Sequence, residues 1–157
     1  ESSQMAPATR HTGSAPPIRP PYRQWRYLGL VAAGGTIGTA LREAVTMVVP
    51  DLDVFPIATF GINLLGAFAL GLLLELLTRS GPDVGRRRGI RLLVGTGVLG
   101  GFTTYSALAT ATALLVMDGL WWWSMAYALG TVLLGAVMSV AGIALGHVRR
   151  RPGEGRS

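Results

Sequence analysis

No cysteine occurs among the 157 residues, which excludes disulfides, haem attachment and thiolate metal sites. Charge is scarce as well: only 14% of residues are Asp, Glu, Lys or Arg, against roughly 25% in an ordinary soluble domain. A globular surface facing water could hardly be covered, so a soluble enzyme domain is excluded. Charged residues are missing altogether from Leu92 to Met117, and Gly119 to Val148 offers a single titratable base, His147. The only other histidine is His11, and no Ser/His/Asp or His/Glu spacing recurs within the apolar stretches, so catalysis has little to work with and no enzyme is expected. Lysine is absent too; all 14 basic residues are arginine, which reads as a coding bias.

Hydrophobic residues make up 50% of the chain, there are 22 glycines, and mean hydropathy is +0.44. Uncharged runs longer than about 18 residues span a membrane, since each must cross roughly 30 Å of hydrocarbon at 1.5 Å per residue. The pattern predicts an all-α integral membrane protein with four transmembrane helices: about Tyr27 to Val48, Phe55 to Thr78, Ile90 to Met117 and Leu120 to Gly146. Three domains follow: a disordered tail over 1–26, a four-helix channel-sized body over 27–148, and a basic tail over 149–157. The first carries Pro7, Pro16, Pro17, Pro20 and Pro21 among polar residues, too little apolar area to offset ordering entropy. A secretory signal is disfavoured, because the first apolar run begins only at Tyr27 and shows no clear cleavage pattern.

The net charge of +6 and the pI near 11 raise nucleic-acid binding, but the arginines flank apolar spans. That placement fits lipid headgroups and the positive-inside rule, and no nucleic-acid partner is expected. Gly95-Thr96-Gly97-Val98-Leu99-Gly100 matches G-x-G-x-x-G, with Asp118 downstream, yet it lies in an uncharged membrane run with no second strand-helix unit, so nucleotide binding is not expected. Gly95, Gly97, Gly100 and Gly101 followed by Thr103 and Thr104 predict instead a break in the third helix. Pairs at spacing four, Gly34/Gly38, Gly97/Gly101 and Gly142/Gly146, predict close helix packing in a bundle or dimer.

A proton-coupled pump needs an ionisable group near the midplane, whereas Arg42, Glu43 and Glu75 fall near span ends, where snorkelling is the ordinary reading. What lies deeper is polar and uncharged: Thr36, Thr39, Thr59, Asn63, Thr96, Thr103, Thr104, Ser106, Thr110, Thr112, Thr131 and Ser139. Asn63 stands out as an amide at the middle of a span, with Thr59 four residues earlier on the same face. Interhelical glue and a water-filled polar track are both open readings of it.

Three segments resemble the CrcB/Fluc fluoride channels of bacteria: Gly34-Gly35-Thr36-Ile37-Gly38-Thr39-Ala40-Leu41-Arg42, Pro56 to Gly71 around Thr59 and Asn63, and Gly100-Gly101-Phe102-Thr103-Thr104-Tyr105-Ser106. They fall in the family's order on the corresponding spans, and the resemblance covers about residues 27 to 147. It implies a passive fluoride exporter of the bacterial inner membrane, built as an antiparallel dimer with two pores and a structural sodium ion on its axis. At matching positions the carbonyls of Gly100 and Thr103 would hold the sodium. Asn63, Thr59, Ser106, Tyr105 and Thr104 would serve the ion path, and Arg42 would sit near a vestibule. The family's third-helix motif usually reads Thr-Thr-Phe-Ser-Thr-Phe; here it is Thr103-Thr104-Tyr105-Ser106-Ala107-Leu108, which gives fewer aromatic and polar contacts. A small multidrug-type secondary transporter and a non-conducting partner subunit are the alternatives; the first lacks its mid-depth carboxylate, and the altered motif favours the second.

With four spans, both termini and the loop from Arg79 to Arg91 share one side of the bilayer. That side carries 13 of the 14 arginines, and the other has only Arg42, which predicts both termini in the cytoplasm. An antiparallel homodimer needs a chain that inserts both ways. The expected partner is therefore an oppositely oriented paralogue in a heterodimer.

Overall fold

The computed structural model describes residues 25–49 and 55–148, and among them every regular element is helical. Helix α1 runs Trp25–Val48 and α2 runs Ile57–Arg79. A short α3, Arg86–Ile90, continues into a π-helical stretch, Arg91–Leu99, and then α4, Gly100–Phe102. After a step at Thr103 and Thr104 the chain resumes as α5, Tyr105–Met117, and α6, Trp121–Val148. Helix α1 begins two residues inside the segment assigned to the N-terminal tail; the rest of that tail and the basic tail 149–157 lie outside the described residues.

Three of these units are long and apolar enough to cross a membrane: Ile57–Arg79, Arg86–Met117 and Trp121–Val148. Helix α1 has the length, at 24 residues, but its glycines, threonines, Arg42 and Glu43 dilute its apolarity. Few apolar side chains are buried inside the chain: Ala58, Ile62, Leu108, Leu115 and Tyr127. Valines and leucines along α6, such as Leu129, Val132, Leu133 and Val140, are more than half exposed, as suits surfaces whose solvent is hydrocarbon.

Helix contact is built from backbone meeting backbone. Helix α1 lies along the π-helical stretch and α4, while α2 lies along α6. A Cβ at Gly34 would strike the Leu93 carbonyl and one at Gly38 the Val98 carbonyl, and Gly97 approaches the Gly34 Cα so closely that its own Cβ would stand 2.8 Å away. Gly71 and Gly142 perform the same service between α2 and α6, against the carbonyls of Ser139 and Phe68. Small residues thus replace side-chain interdigitation by close backbone approach. The spacing-four glycine pairs are used within the chain, which is the bundle reading of them.

The turn from α5 to α6 is a Schellman motif. Gly119 adopts φ 75°, its N–H donates to Val116 O at 3.0 Å, and Leu120 N–H donates to Leu115 O at 2.8 Å. It returns α6 so that Tyr127 packs with Leu108 and Leu115, and Phe55 meets the Tyr127 and Phe60 rings edge-on at 5.3 Å each.

Candidate ion path

The third unit breaks within the expected segment, at its threonine end. Helical geometry persists through Gly95, Gly97, Gly100 and Gly101, and it is Thr103 and Thr104 that leave it, with ψ of 154° and 116°. The G-x-G-x-x-G run is accordingly helical throughout, with no strand before it. The glycines lack side chains but not hydrogen-bonding neighbours, and α1 braces them; the threonines bring competing hydroxyls.

Asn63 of α2 captures the step. Thr104 N–H donates to Asn63 Oδ1 at 2.8 Å, and Asn63 Nδ2 donates to the Thr104 carbonyl at 3.1 Å. These two bonds fix which end of the amide is oxygen, because the backbone N–H can only donate and the carbonyl only accept. One turn along α2, Gly66 leaves room for the Thr103 methyl group, seating the step in a notch. Thr104 Oγ1 then caps α5, accepting from Ala107 N–H at 3.1 Å.

The clamp has a second effect, on acceptors. In a continuous helix the Thr104 N–H would satisfy the Gly100 carbonyl, and the Ala107 N–H would satisfy that of Thr103. Here the first is turned to Asn63 and the second to Thr104 Oγ1, so both carbonyls lose their helical donors. Gly100 and Thr103 are the two positions singled out for sodium. Among the described residues no cluster of three or more His, Asp or Glu side chains could hold a metal.

An open groove of about 250 Å³ runs beside the step, lined by Asn63, Thr103, Thr104, Tyr105 and Leu108 together with Thr131, Val132 and Gly135 of α6. Its proton donors can be enumerated. Asn63 keeps a second N–H. Thr104 Oγ1 and Ser106 Oγ are 3.1 Å apart and share one hydroxyl proton between them, leaving the other free. Tyr105 is 81% exposed. Thr103 and Thr131, by contrast, direct their protons to the Leu99 and Tyr127 carbonyls at 2.9 and 2.7 Å, and offer a ligand only acceptors.

Of the expected path residues, Asn63, Thr104 and Tyr105 come together in the groove, with Ser106 hydrogen-bonded at its edge. Thr59, partly buried a turn before Asn63, is not among the lining residues. Arg42 lies near the end of α1 and meets Glu43 at 3.2 Å, while its Nε is enclosed without an acceptor. Glu75 does not snorkel to water: its side chain is 14% exposed and its carboxylate takes the Arg79 guanidinium and His147 Nδ1, the latter at 2.8 Å. The α6 contribution escaped sequence reasoning. Thr131 was visible as one of the few hydroxyls in an apolar helix, but Val132 and Gly135 carry no signal.

The family model described as "CrcB-like protein, Camphor Resistance (CrcB)" matches residues 29–143. The chain belongs to the CrcB family. The match takes in the clamp and the groove, and with three membrane-capable helices it makes this CrcB chain a multi-pass membrane protein. A fluoride-specific ion channel, FluC 2 of Leifsonia xyli subsp. xyli, is 48% identical over 127 residues, covering 81% of this chain and 88% of its own length. FluC 1 of Cutibacterium acnes is 50% identical over 113 residues, 71% and 79% of the two chains. FluC of Deinococcus radiodurans is 39% identical over 126 residues, 78% and 94%.

Proposed function

We propose that the chain is a subunit of a fluoride channel of the bacterial inner membrane, passing fluoride out of the cytoplasm by passive electrodiffusion. The observation that carries the reading is the Asn63–Thr104 clamp in a chain of this family, whose relatives are named for fluoride. Fluoride is a small and strong hydrogen-bond acceptor, so a pore must replace its water with donors. The second Asn63 N–H, the free proton of the Thr104–Ser106 pair and the Tyr105 hydroxyl are such donors, beside hydroxyls whose protons are already committed. Thr59 would join them farther along the path, and Arg42 would concentrate anions at its mouth.

The finer architecture belongs to the same proposal. Helix α1 is the fourth span, both termini are cytoplasmic, and the open groove is closed by an antiparallel partner. The Gly100 and Thr103 carbonyls, deprived of helical donors, fit a hard cation, but two per chain are too few for one; a second subunit would complete a sodium site. Bound there, sodium would supply a fixed positive charge that favours anions nearby.

The partner proposed is an oppositely inserted paralogue. Reconstituted alone, the purified chain should give liposomes no fluoride efflux beyond protein-free vesicles, and co-reconstitution with the paralogue should produce it. Robust efflux from the single chain would overturn the heterodimer, and none in either arm would overturn the channel. One observation favours a non-conducting subunit: Leu108 lines the groove with an alkyl chain where the family carries a ring. If that is the defect, Leu108→Phe should restore flux on this chain's side. Nothing favours the multidrug-type transporter: among the described residues the carboxylates Glu43, Glu75, Asp83 and Asp118 lie near helix ends or in turns.

A further inference from the structure

A second pocket, of about 300 Å³, lies at the other end of α2, between its last turns and the arginines that open the third unit. One wall is apolar, Leu74 and Leu77, with the Thr78 hydroxyl above them; spacings of three and four put all three on one face of α2. The opposite wall is cationic. Arg91 meets Asp83 at 2.6 Å and Arg88 meets the same carboxylate at 3.7 Å, so one negative charge already serves two guanidiniums. The Arg91 Nε is enclosed without an acceptor. Arg87 lies over Gly81, where a Cβ would strike its guanidinium, and no carboxylate among the described residues lies within 4.0 Å of it.

We propose that this pocket binds the phosphate of an anionic phospholipid, held by Arg87 and Arg91, with the lipid's apolar portion against Leu74 and Leu77. Free phosphate shares the charge but not the apolar wall. The pocket sits where a membrane-capable helix ends, the depth at which headgroup phosphates lie. A wall at that level with two guanidiniums, Arg87 and Arg91, and one carboxylate that Arg88 also engages from outside the pocket lacks an anion, and the bilayer supplies one with a tail attached. Thr78 adds a hydroxyl donor to the phosphate oxygens.

Native mass spectrometry of the full chain, titrated with phosphatidylglycerol or phosphatidylcholine, tests this alongside thermal melting in the same mixtures. Wild type should retain phosphatidylglycerol preferentially and melt higher with it. Arg87→Gln should lower that preference about fivefold, as removal of one near-surface cation does, whereas Arg86→Gln, outside the pocket, should not. Equal retention of the two lipids by wild type would overturn the proposal, and this arm stands even if Arg87→Gln fails to fold. An equal loss in both variants would replace a site by diffuse surface charge. Protection by inorganic phosphate equal to that by phosphatidylglycerol would overturn the lipid in favour of a free anion.

Discussion

Asn63 uses its oxygen and one N–H to hold Thr104, and a second N–H stays available to the groove. Of the two readings open in the sequence, the two bonds to Thr104 are the glue, and the polar path is the use proposed for the remaining N–H. Asn63→Leu should leave the Thr104 N–H without a partner, at about 1–3 kcal/mol for one buried donor, while the Thr104 carbonyl keeps the helical bond of an N-cap, so melting temperature and fluoride flux should fall together. Asn63→Asp separates the two: it keeps an acceptor for the Thr104 N–H but faces the groove with an anion. It should retain more stability than Asn63→Leu yet conduct no better, as thermal melting and efflux from liposomes co-reconstituted with the paralogue would record; wild-type flux from Asn63→Asp would reduce the residue to a clamp. That Asn63 matters was legible, because an amide at membrane depth must find partners. Its partner was not, since a backbone N–H and C=O have no signature in sequence.

Glycines behave differently according to what lies opposite them, and this separates the elements. Gly38 faces the Val98 carbonyl and the Phe102 N, which a Cβ would approach to 2.8 Å, whereas Gly29 on the same helix has nothing within 4 Å. Gly38→Ala should lower stability by about 1–3 kcal/mol, the usual cost of overpacking. Gly29→Ala should be neutral or gain up to about 1 kcal/mol from helix propensity. Thermal melting of the two variants decides it, and equal effects would show that α1 is not seated by backbone contact. The four helical segments were readable from apolar runs. The exact step within residues 95–104 was not: the glycines have the weakest propensity, but α1 braces them and Asn63 draws off the Thr104 N–H three residues after Gly101. A contest between helices cannot be read from either one alone.

At the scale of the whole molecule, charge is lopsided: 13 arginines flank one side of the four-span reading and Arg42 alone the other. Reporter fusions at both termini should therefore find a single orientation with cytoplasmic ends, and comparable inside and outside populations would refute it. The least apolar of the long helices, α1, is also the one seated along Arg91–Leu99 and α4 through bare backbone. During synthesis α1 leaves the ribosome well before the stretch that receives it exists. Its stay in the bilayer should thus be provisional until the third unit is made. A nascent chain truncated after Arg79 should leave α1 extractable by alkali or modifiable from the aqueous phase, and one extended through Met117 should protect it; equal protection of the two lengths would show that α1 is retained unaided.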